Sequence, residues 1–264
     1  MPSLQHFGPL PTRRAVILAA GRGERLVNGF GFPKPLKRVR GVPLIVRVLR
    51  NLERAGIEEV AVVVGYLGDV LIAGLRKHRF ALDVRFVRND EYDKPNGTSL
   101  LKARDFVRGP TYLTMSDHLW SPDLLAAVGA HPAEDDEAVL GVDYAIARCF
   151  DLDDATKVAL VNDRISEVGK QLASYDALDT GVFRITPALI EELERLQGPE
   201  GCSLSQGVTA LAARGRMRAA DVGDAVWIDV DTPAAHAEAE RLISLHGEEL
   251  RPAVAAARRT AMGA

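Results

Sequence analysis

The sequence predicts a single α/β domain of three layers, in which helices cover both faces of a mostly parallel central sheet. Two observations carry this prediction. Up to about residue 118, short apolar runs typical of buried parallel strands alternate with helical patterns, as in a doubly wound sheet. Beyond that point strands follow one another with few helices between them, which predicts a mixed or antiparallel extension. The 264 residues suit one domain, since single α/β domains often reach about 250 residues.

The elements of the first half follow from the hydrophobic pattern. Residues 15–20 are a continuous apolar run that predicts a buried strand near the sheet centre, and a glycine-rich loop begins at Gly21. Apolar residues at helical spacing after Pro43 predict a crossover helix, for which Gly56 supplies a C-terminal stop. The other elements predicted here are a strand at 59–64, a helix at 69–77, a strand at 83–87, a helix at 98–107 and a strand at 111–115.

Turn and capping signals define the elements of the second half. The pattern predicts strands at 138–143, 157–161, 165–168 and 179–185, with a hairpin turn at residues 162–164. Ser203 and Gln206 form a capping box at a helix start. Three further helix starts combine a capping residue with a proline, namely Ser121-Pro122, Thr186-Pro187 and Thr232-Pro233. The domain is expected to span residues 15–246, between tails at 1–14 and 247–264.

Composition and charge exclude several classes of protein. With 33 Lys+Arg against 36 Asp+Glu, the net charge of −3 offers no basic field, so no nucleic acid partner is expected. The sequence holds no apolar run of about 18 residues, so no stable membrane insertion is expected. Two cysteines, Cys149 and Cys202, cannot build a disulfide framework and favour a reducing compartment. We therefore expect a cytoplasmic globular protein.

The loop after the first strand carries a pattern suited to polyphosphate. Residues 21–26 begin like a dinucleotide fingerprint but lack its third glycine, and the chain has neither a GxxxxGK(S/T) phosphate loop nor a GxSxG nucleophile motif. Arg25 follows the glycines Gly21 and Gly23, and Lys34 stands between two prolines shortly afterwards. Backbone N–H groups and two cations thus converge on one loop, an arrangement that binds phosphate groups. The alternative is a tight turn with solvated basic residues.

These motifs resemble those of a known superfamily. Residues 15–26, AVILAAGRGERL, followed by residues 33–36, PKPL, resemble the signature of the sugar nucleotidyltransferases, which join an NTP to a phosphorylated sugar or alcohol. Over residues 15–245 the chain is similar to the CTP:inositol-1-phosphate cytidylyltransferases within that superfamily. The segments that carry this closer resemblance are 96–101 (NGTSLL), 114–118 (TMSDH), 155–158 (ATKV), 168–170 (VGK), 179–181 (DTG) and 227–232 (WIDVDT).

The resemblance implies a Rossmann-like, GT-A-like nucleotidyltransferase fold with a mixed central sheet and a small antiparallel subsheet. It implies that CTP and inositol 1-phosphate become CDP-inositol and pyrophosphate, with Mg²⁺ as cofactor. In archaeal and some bacterial relatives this domain is fused to a membrane-embedded phosphotransferase that uses the product, so a separate membrane phosphotransferase is the expected partner here. A homodimer is left open. The alternatives are another acceptor (phosphocholine, a phosphonate or a hexose 1-phosphate) and a catalytically silent nucleotide-binding regulatory domain.

Three aspartates are candidate Mg²⁺ ligands under this resemblance. Asp117 directly follows a predicted strand, at the sheet edge where open α/β folds place ligands. Asp229 and Asp231 alternate along a predicted strand at 227–231, which would turn both carboxylates to one face. Mg²⁺ usually takes only one or two protein carboxylates, and the alternative role of these residues is to cap turns. The neighbouring His118 is interpreted as a packed or hydrogen-bonded residue rather than a metal ligand.

The remaining site residues surround the two expected substrates. Lys157 and Lys170 flank the predicted hairpin and are candidates for the acceptor phosphate, with ordinary surface lysines as the alternative. Asp179 is a candidate for binding ring hydroxyls, with a turn residue as the alternative. Asn96 and Ser99 can both cap a helix and read a pyrimidine edge. The expected nucleotide-binding set is Leu18, Ala19, Ala20, Gly21, Gly23, Asn96, Gly97 and Ser99, and the expected catalytic residues are Arg25, Lys34 and Asp117.

Overall fold

A computed structural model describes residues 10–26 and 31–251, and it confirms the predicted fold class of helices on both faces of a mixed central sheet. Residues 1–9 and 252–264, which hold most of the two predicted tails, lie outside the described residues, as does the segment 27–30. The described ends of the predicted tails are packed on the domain. Leu10 lies against one apolar cluster, and Leu250 is buried in another.

The described part of the chain contains thirteen strands and seven α-helices. The strands are β1 (Arg14–Ala19), β2 (Arg38–Val39), β3 (Val42–Pro43), β4 (Glu59–Val64), β5 (Asp83–Arg88), β6 (Thr111–Met115), β7 (His118–Trp120), β8 (Ala138–Asp143), β9 (Lys157–Val161), β10 (Arg164–Gly169), β11 (Ala177–Ile185), β12 (Met217–Asp221) and β13 (Trp227–Asp229). The helices are α1 (Leu44–Arg54), α2 (Gly68–Leu75), α3 (Asn96–Lys102), α4 (Pro122–Ala130), α5 (Pro187–Leu196), α6 (Leu204–Ala213) and α7 (Pro233–His246).

Nine of these strands form the main sheet, in the order β5-β4-β1-β6-β11-β8-β12-β10-β9. The first four are parallel, and β1 lies between β4 and β6 with Ile17 opposite Val62 and Thr114. The second half extends the sheet as a mixed segment, because β11 is antiparallel to β6 and β8 while β12 is parallel to β8. The carboxyl ends of β1 and β6 therefore open at one edge, where sheets of this kind bind ligands.

The alternation of side chains along β1 separates the layers. Val16 and Leu18 face an apolar cluster shared with α3, α5 and α6, whereas Ala15 and Ile17 face a cluster shared with α1, α2 and α4. A third cluster lies beneath α7 and includes Leu26, the residue that ends the described part of the glycine-rich loop. The helix α7 therefore packs on the loop that was predicted to bind phosphate.

One predicted helix is wrong in its bounds. The pattern predicted a helix at 98–107, but α3 begins at Asn96 directly after Pro95 and ends at Lys102, and a separate 3-10 turn follows at Arg104–Phe106. The extended backbone of Pro95 supplies the N-cap, which sets the start, and the tighter turn carries Phe106 into the core. Strands β4, β6, β8 and β9 have the predicted bounds.

The helix starts occur where predicted, but only some of the capping residues cap. Ser203 makes the expected capping box with Gln206, and the Thr232 hydroxyl accepts a hydrogen bond from Ala235 N. The Ser121 hydroxyl instead accepts from Val226 N, and Thr186 Oγ1 is buried with no hydrogen-bond partner in the described part of the chain. At these two helices the proline at the first position and the extended backbone before it suffice to begin the helix.

The sequence pattern did not predict several of the strands. The two-stranded ribbon of β7 and β13, the β2–β3 hairpin and β12 were not predicted as elements, except that β13 lies inside the predicted strand at 227–231. That strand ends at Asp229, and the next residue, Val230, donates its N–H to Asp117 O. Strands of two or three residues are too short to show a period, and the five residues of β12 include the charged Arg218 and Asp221. In the described chain no helix has the length and apolar character that crossing a membrane requires.

Candidate active site

The glycine-rich loop is folded over Lys34. Gly23 has a φ of +61°, and a Cβ at this position would lie 2.4 Å from the Cβ and Cδ of Lys34. Glycine adopts this positive φ without strain, and its lack of a Cβ leaves the space that the Lys34 side chain fills. Leu26 anchors the loop beneath α7, and Lys34 begins a 3-10 turn after Pro33. The loop therefore lies close against the buried Lys34 side chain.

The two predicted phosphate-binding cations are paired with aspartates. Lys34 Nζ lies 2.6 Å from Asp117 Oδ2 and also contacts a carboxylate oxygen of Asp231. Arg25 pairs with Asp231 through one guanidinium nitrogen, and the other lies 2.9 Å from Asp154 Oδ2. The Lys34 side chain is only 5% exposed, so its charge requires such partners. The structure thus brings Arg25, Lys34, Asp117 and Asp231 together.

The β7–β13 ribbon places His118 between two carboxylates. Asp229 lies opposite His118 in the ribbon. The distance from His118 Nδ1 to Asp117 Oδ1 is 3.4 Å, and that from His118 Nε2 to Asp229 Oδ2 is 3.7 Å. Gly181, with a φ of +74°, gives the ring its room, since a Cβ there would lie about 3.0 Å or less from three ring atoms. His118 is thus a packed side chain with acidic neighbours on both sides.

Burial and the neighbouring charges shift the pKa values of these groups in opposite directions. Burial alone would raise the pKa of the Asp117 carboxyl, but the Lys34 ammonium and the His118 ring outweigh it and hold that pKa well below its usual range. Burial would lower the pKa of the His118 imidazole, whereas Asp229 and Asp117 raise it to about 9. The pKa of Asp229 is raised, first of all by burial. The two neighbouring carboxylates thus favour the protonated form of the His118 imidazole.

The carboxylate oxygens form a set that fits a divalent cation. One ligand atom from each of Asp117, His118 and Asp229 lies within 4.8 Å of the others, and the same holds for Asp154, Asp229 and Asp231. Asp229 Oδ1 is buried and has no hydrogen-bond partner among residues 10–26 and 31–251. Carboxylate oxygens are ligands that hard cations such as Mg²⁺ prefer. Asp117 and Asp229, with Asp231 beside them, are the residues that could hold the metal.

Two cavities meet at Asp231. A cavity of about 450 Å³ lies under the glycine-rich loop, and a cleft of about 1300 Å³ lies on the side of the second half. The smaller cavity is lined by Arg22, Gly23, Glu24, Arg25, Lys34, Tyr92, Asp93, Asp117 and Asp231. Residues of the larger cleft include Asn96, His118, Phe150, Asp154, Lys170, Asp179, Trp227, Asp229 and Asp231. The arrangement offers one space for a polyphosphate and an adjoining space for a second substrate.

The predicted acceptor-binding lysines separate in the structure. Lys170 lines the larger cleft, and its Nζ lies 2.6 Å from Asp154 Oδ1. Lys157 lies opposite Gly169 in the β9–β10 pair, but its side chain is buried and its Nζ donates to Asp153 O at 3.1 Å. Lys157 is not among the residues that line either described cavity. The two-residue turn between these strands is the predicted hairpin, with left-handed backbone at both residues.

Asp179 lies in the larger cleft beside His118. Its Oδ1 accepts a hydrogen bond of 2.7 Å from Gly181 N. Burial raises the pKa of the Asp179 carboxyl to about 6, against the opposing effects of the Gly181 N–H and the His118 charge. The second carboxylate oxygen points to no other described hydrogen-bond donor. Asp179 therefore combines a fixed orientation with acceptor capacity inside the cleft.

Most of the predicted nucleotide-binding residues are engaged in the fold. Ser99 is buried, and its hydroxyl accepts from Asn89 Nδ2 at 2.9 Å. A Cβ on Gly97 would lie 2.6 Å from Cys202 O, so glycine permits close packing of α3 there. Asn96 Oδ1 accepts from Leu204 N at 2.9 Å, yet Asn96 also lines the larger cleft. Leu18, Ala19 and Ala20 are buried, whereas Gly21 is exposed.

Two features of the site were missed in the sequence. Asp154 pairs with both Arg25 and Lys170, but three aspartates stand within residues 151–154 and nothing in the pattern distinguishes them. Arg22 lies 5.6 Å from the ring centroids of Tyr66 and Tyr92, which bounds the smaller cavity with a cation–π cluster. Its position in the glycine-rich loop was the available signal for this second feature.

Known proteins are similar to this chain in sequence or in structure. The bifunctional IPC transferase and DIPP synthase of Rubrobacter xylanophilus is 39% identical over 232 residues, which cover 83% of this chain and 49% of that protein. The protein of the same name from Archaeoglobus fulgidus is 34% identical over 227 residues, covering 85% and 42%. The chain thus spans about half the length of these curated relatives. The structure of the inositol-1-phosphate CTP transferase from T. maritima has a TM-score of 0.78 and 27% identity, covering 94% of this chain and 99% of that one.

A family model covers most of the domain. The model of the MobA-like NTP transferase domain matches residues 15–202, which include β1, the glycine-rich loop, Lys34, Asp117 and Lys170. The mixed central sheet of the structure agrees with that match. On this evidence the chain belongs to the family of the MobA-like NTP transferase domain.

Proposed function

We propose that the chain is a cytidylyltransferase that converts CTP and inositol 1-phosphate into CDP-inositol and pyrophosphate. The observation that carries this proposal is the placement of Arg25 and Lys34 at one cavity and of Lys170 at the adjoining cleft, with Asp231 shared by both. Cations stand on both sides of the place where two phosphates would be joined. The names of the similar proteins from R. xylanophilus and T. maritima support the choice of substrates.

The triphosphate is assigned to the smaller cavity. Backbone N–H groups of the loop at Gly21 and Gly23, together with Arg25, would bind its oxygens. Lys34 is preorganised to neutralise charge that develops at the α-phosphate. Of the residues at the α3 entrance we assign contact with the base to Asn96, because it lines the cleft. Ser99 and Gly97 shape this region from within the fold.

The acceptor is assigned to the larger cleft. Lys170 would bind its phosphate, and Asp179 would accept hydrogen bonds from ring hydroxyls. Lys157 supports the site indirectly, because its ammonium holds the loop that carries Asp154 through the Asp153 carbonyl. An oxygen of the acceptor phosphate attacks the α-phosphorus of CTP, and the bond to the bridging oxygen of pyrophosphate breaks. A phosphate monoester has a second pKa near 6, so it attacks as a dianion and no base is needed.

A divalent cation, which we propose to be Mg²⁺, would be held by Asp117 and Asp229 with Asp231 beside them. When bound there, Mg²⁺ supplies neutralisation of phosphate charge. The unpartnered, buried Asp229 Oδ1 is the observation that supports this assignment. The chain's own contribution is to hold the carboxylates in place through His118 and the β7–β13 ribbon.

We further propose that the product passes to a membrane phosphotransferase and that the enzyme works in a reducing, cytoplasmic compartment. The relatives' names carry two activities, and this chain matches about half of each protein. Both Cys149 and Cys202 are free thiols, which is consistent with a reducing environment. The unit that performs the reaction is proposed to be residues 15–246, with the contacts of Leu250 completing its packing.

A matrix of NTPs against phosphorylated acceptors tests the proposal. Pyrophosphate release is measured for CTP, UTP, GTP and ATP with inositol 1-phosphate, phosphocholine, a phosphonate and glucose 1-phosphate, each with and without Mg²⁺. We expect release only with CTP, inositol 1-phosphate and Mg²⁺ together. Equal or faster turnover with another acceptor would move the assignment to that compound, and nucleotide binding without any turnover would indicate a regulatory domain instead.

A further inference from the structure

The carboxylate of Asp154 links a cation of the smaller cavity to a cation of the larger cleft. Its Oδ2 lies 2.9 Å from a guanidinium nitrogen of Arg25, and its Oδ1 lies 2.6 Å from Lys170 Nζ. Arg25 belongs to the loop after β1, whereas Lys170 directly follows β10. One carboxylate therefore holds a cation from each half of the domain.

These two cations are the ones that the proposed function assigns to phosphates, and the present inference rests on that function. In the product the α-phosphorus and the acceptor phosphorus share one bridging oxygen. Cations that bind these two phosphates must therefore lie close together, on either side of a small anionic group. The Asp154 carboxylate has this position between Arg25 and Lys170. The carboxylate of Asp154 is thus an anionic group of the protein that lies where the phosphates of the substrates would lie.

The geometry of Asp154 fits pairing with the two cations better than it fits a role as a metal ligand. Its ligand atom does lie within 4.8 Å of those of Asp229 and Asp231. Its two oxygens pair with Arg25 and Lys170, which come from different halves of the domain, while the buried carboxylate oxygen that has no partner in the described part of the chain belongs to Asp229. A Mg²⁺ ion takes only one or two carboxylates, which Asp117 and Asp229 already supply.

We propose that Asp154 is a positioning residue that occupies the phosphate-binding cations until substrates displace it, and that it thereby makes acceptor binding depend on prior nucleotide binding. A phosphate that binds Lys170 in the empty protein must first compete with the Asp154 carboxylate. A triphosphate bound at Arg25 removes one of the two partners of Asp154 and places negative charge beside it. The ion pair between Asp154 and Lys170 then weakens, and Lys170 binds the acceptor phosphate more tightly.

The test measures binding of inorganic phosphate to the protein without nucleotide or metal, by isothermal titration calorimetry. Asp154→Asn keeps the shape of the side chain and removes its charge. We expect its Kd for phosphate to fall roughly three- to tenfold, the effect of losing two partly exposed ion pairs. Asp153→Asn removes the same charge one residue away, where the exposed carboxylate has no described ion pair, and should leave the Kd within about twofold. Asp154→Ala should act like Asp154→Asn.

Inositol 1-phosphate provides the second arm of the experiment. Wild-type protein should bind it several-fold more tightly after CMP is added, and Asp154→Asn should lose most of this dependence. Unchanged or weaker phosphate binding by both Asp154 variants would overturn the proposal, as would an equal gain in Asp153→Asn. A raised Mg²⁺ requirement with unchanged phosphate binding would make Asp154 a metal ligand and also overturn it. Tighter phosphate binding without any response to inositol 1-phosphate would support the displacement and refute the acceptor assignment.

Discussion

Lys34 shows how one buried side chain can serve two states of a site. Asp117 and Asp231 supply the counter-charge of its ammonium in the structure. Pro33 and Pro35 restrict the backbone on either side, so little conformational freedom is lost when the ammonium meets a phosphate. Negative charge that develops at the α-phosphate would meet a cation already in place, and such preorganisation is a large contribution to catalysis.

Replacement of Lys34 should therefore affect turnover more than folding. Lys34→Ala should lower kcat for pyrophosphate release by roughly 10²–10³, by analogy with the loss of one preorganised electrostatic donor. Lys37→Ala is the matched control, since Lys37 ends the same turn and has no described ion pair; it should retain kcat within about twofold. Steady-state kinetics of both variants make the comparison. If Lys34→Ala matched the control, this lysine would not act at the transferred phosphate.

Individual residues of the site were predictable where their spacing from a strand end is fixed. Asp117 stands two residues after β6 and Asp229 ends β13, whereas Lys34 was predicted from its place between two prolines after the glycine-rich loop; Asp117 lies near both of the others in the structure. Lys157 was predicted beside Lys170 because the hairpin was correct, but the burial of its side chain depends on the packing of the loop before β9. Asp154 was missed because that loop's path decides which of three neighbouring aspartates meets Arg25.

At the scale of elements, Glu137 joins three strands of the second half. It directly precedes β8, its Oε1 accepts a hydrogen bond of 2.7 Å from Arg164 at the start of β10, and its Oε2 accepts one of 2.9 Å from Arg218 in β12. Burial would raise the pKa of the Glu137 carboxyl, but Arg218, the Glu134 N–H and Arg164 outweigh burial and lower it to about 2. Strand β10 ends next to Lys170, so this cluster also supports the wall of the larger cleft that Lys170 lines.

The lowered pKa of Glu137 fixes the sign of a pH effect on stability. The carboxylate contributes stability above its unfolded pKa of about 4.5, and this contribution is lost as pH falls through about 2. Glu137→Gln should lower the free energy of unfolding by about 1–3 kcal/mol at pH 7, and the deficit should shrink between pH 4.5 and 2. Urea denaturation across this range measures the difference. The exposed Glu134→Gln should show no such deficit, and a pH-independent deficit in Glu137→Gln would exclude a role for its charge.

Elements with a long apolar pattern could be predicted from the sequence, whereas elements with a short or interrupted pattern could not. Strands β1, β4 and β6 are buried runs of five or six residues, and their positions agree with the prediction. Strand β12 escaped because arginine and aspartate interrupt it, and β7 and β13 have only three residues each. The ribbon of β7 and β13 nonetheless positions His118 and Asp229. The pairing of β7 with β13, which supports the proposed metal site, is therefore not revealed by hydrophobic periodicity.

At the scale of the whole molecule, charge pairs cross the cleft between the two halves. Arg25 and Lys34 come from the first half, whereas Asp154 and Asp231 come from the second. The sequence predicted the layers and the mixed character of the sheet, but the strand order depends on long-range pairing that a local pattern does not contain. Substrates that replace these pairs bind the folded protein and should raise its thermal stability.

The last prediction separates metal binding from acceptor binding through the melting temperature. CTP at about 100 times its Kd with Mg²⁺ should raise Tm by about 5–10 °C, since such a ligand adds about 2.7 kcal/mol. Asp117→Asn removes charge that a hard cation needs, so Mg²⁺ should add nothing to the effect of CTP in this variant. Asp179→Asn should keep the full increment from Mg²⁺ and CTP but lose the further increment from inositol 1-phosphate, because its carboxylate faces the larger cleft. Differential scanning fluorimetry of both variants with each ligand set makes the measurement. If Asp179→Asn changed the response to Mg²⁺, or Asp117→Asn lost only the response to inositol 1-phosphate, the two roles would be assigned to the wrong carboxylates.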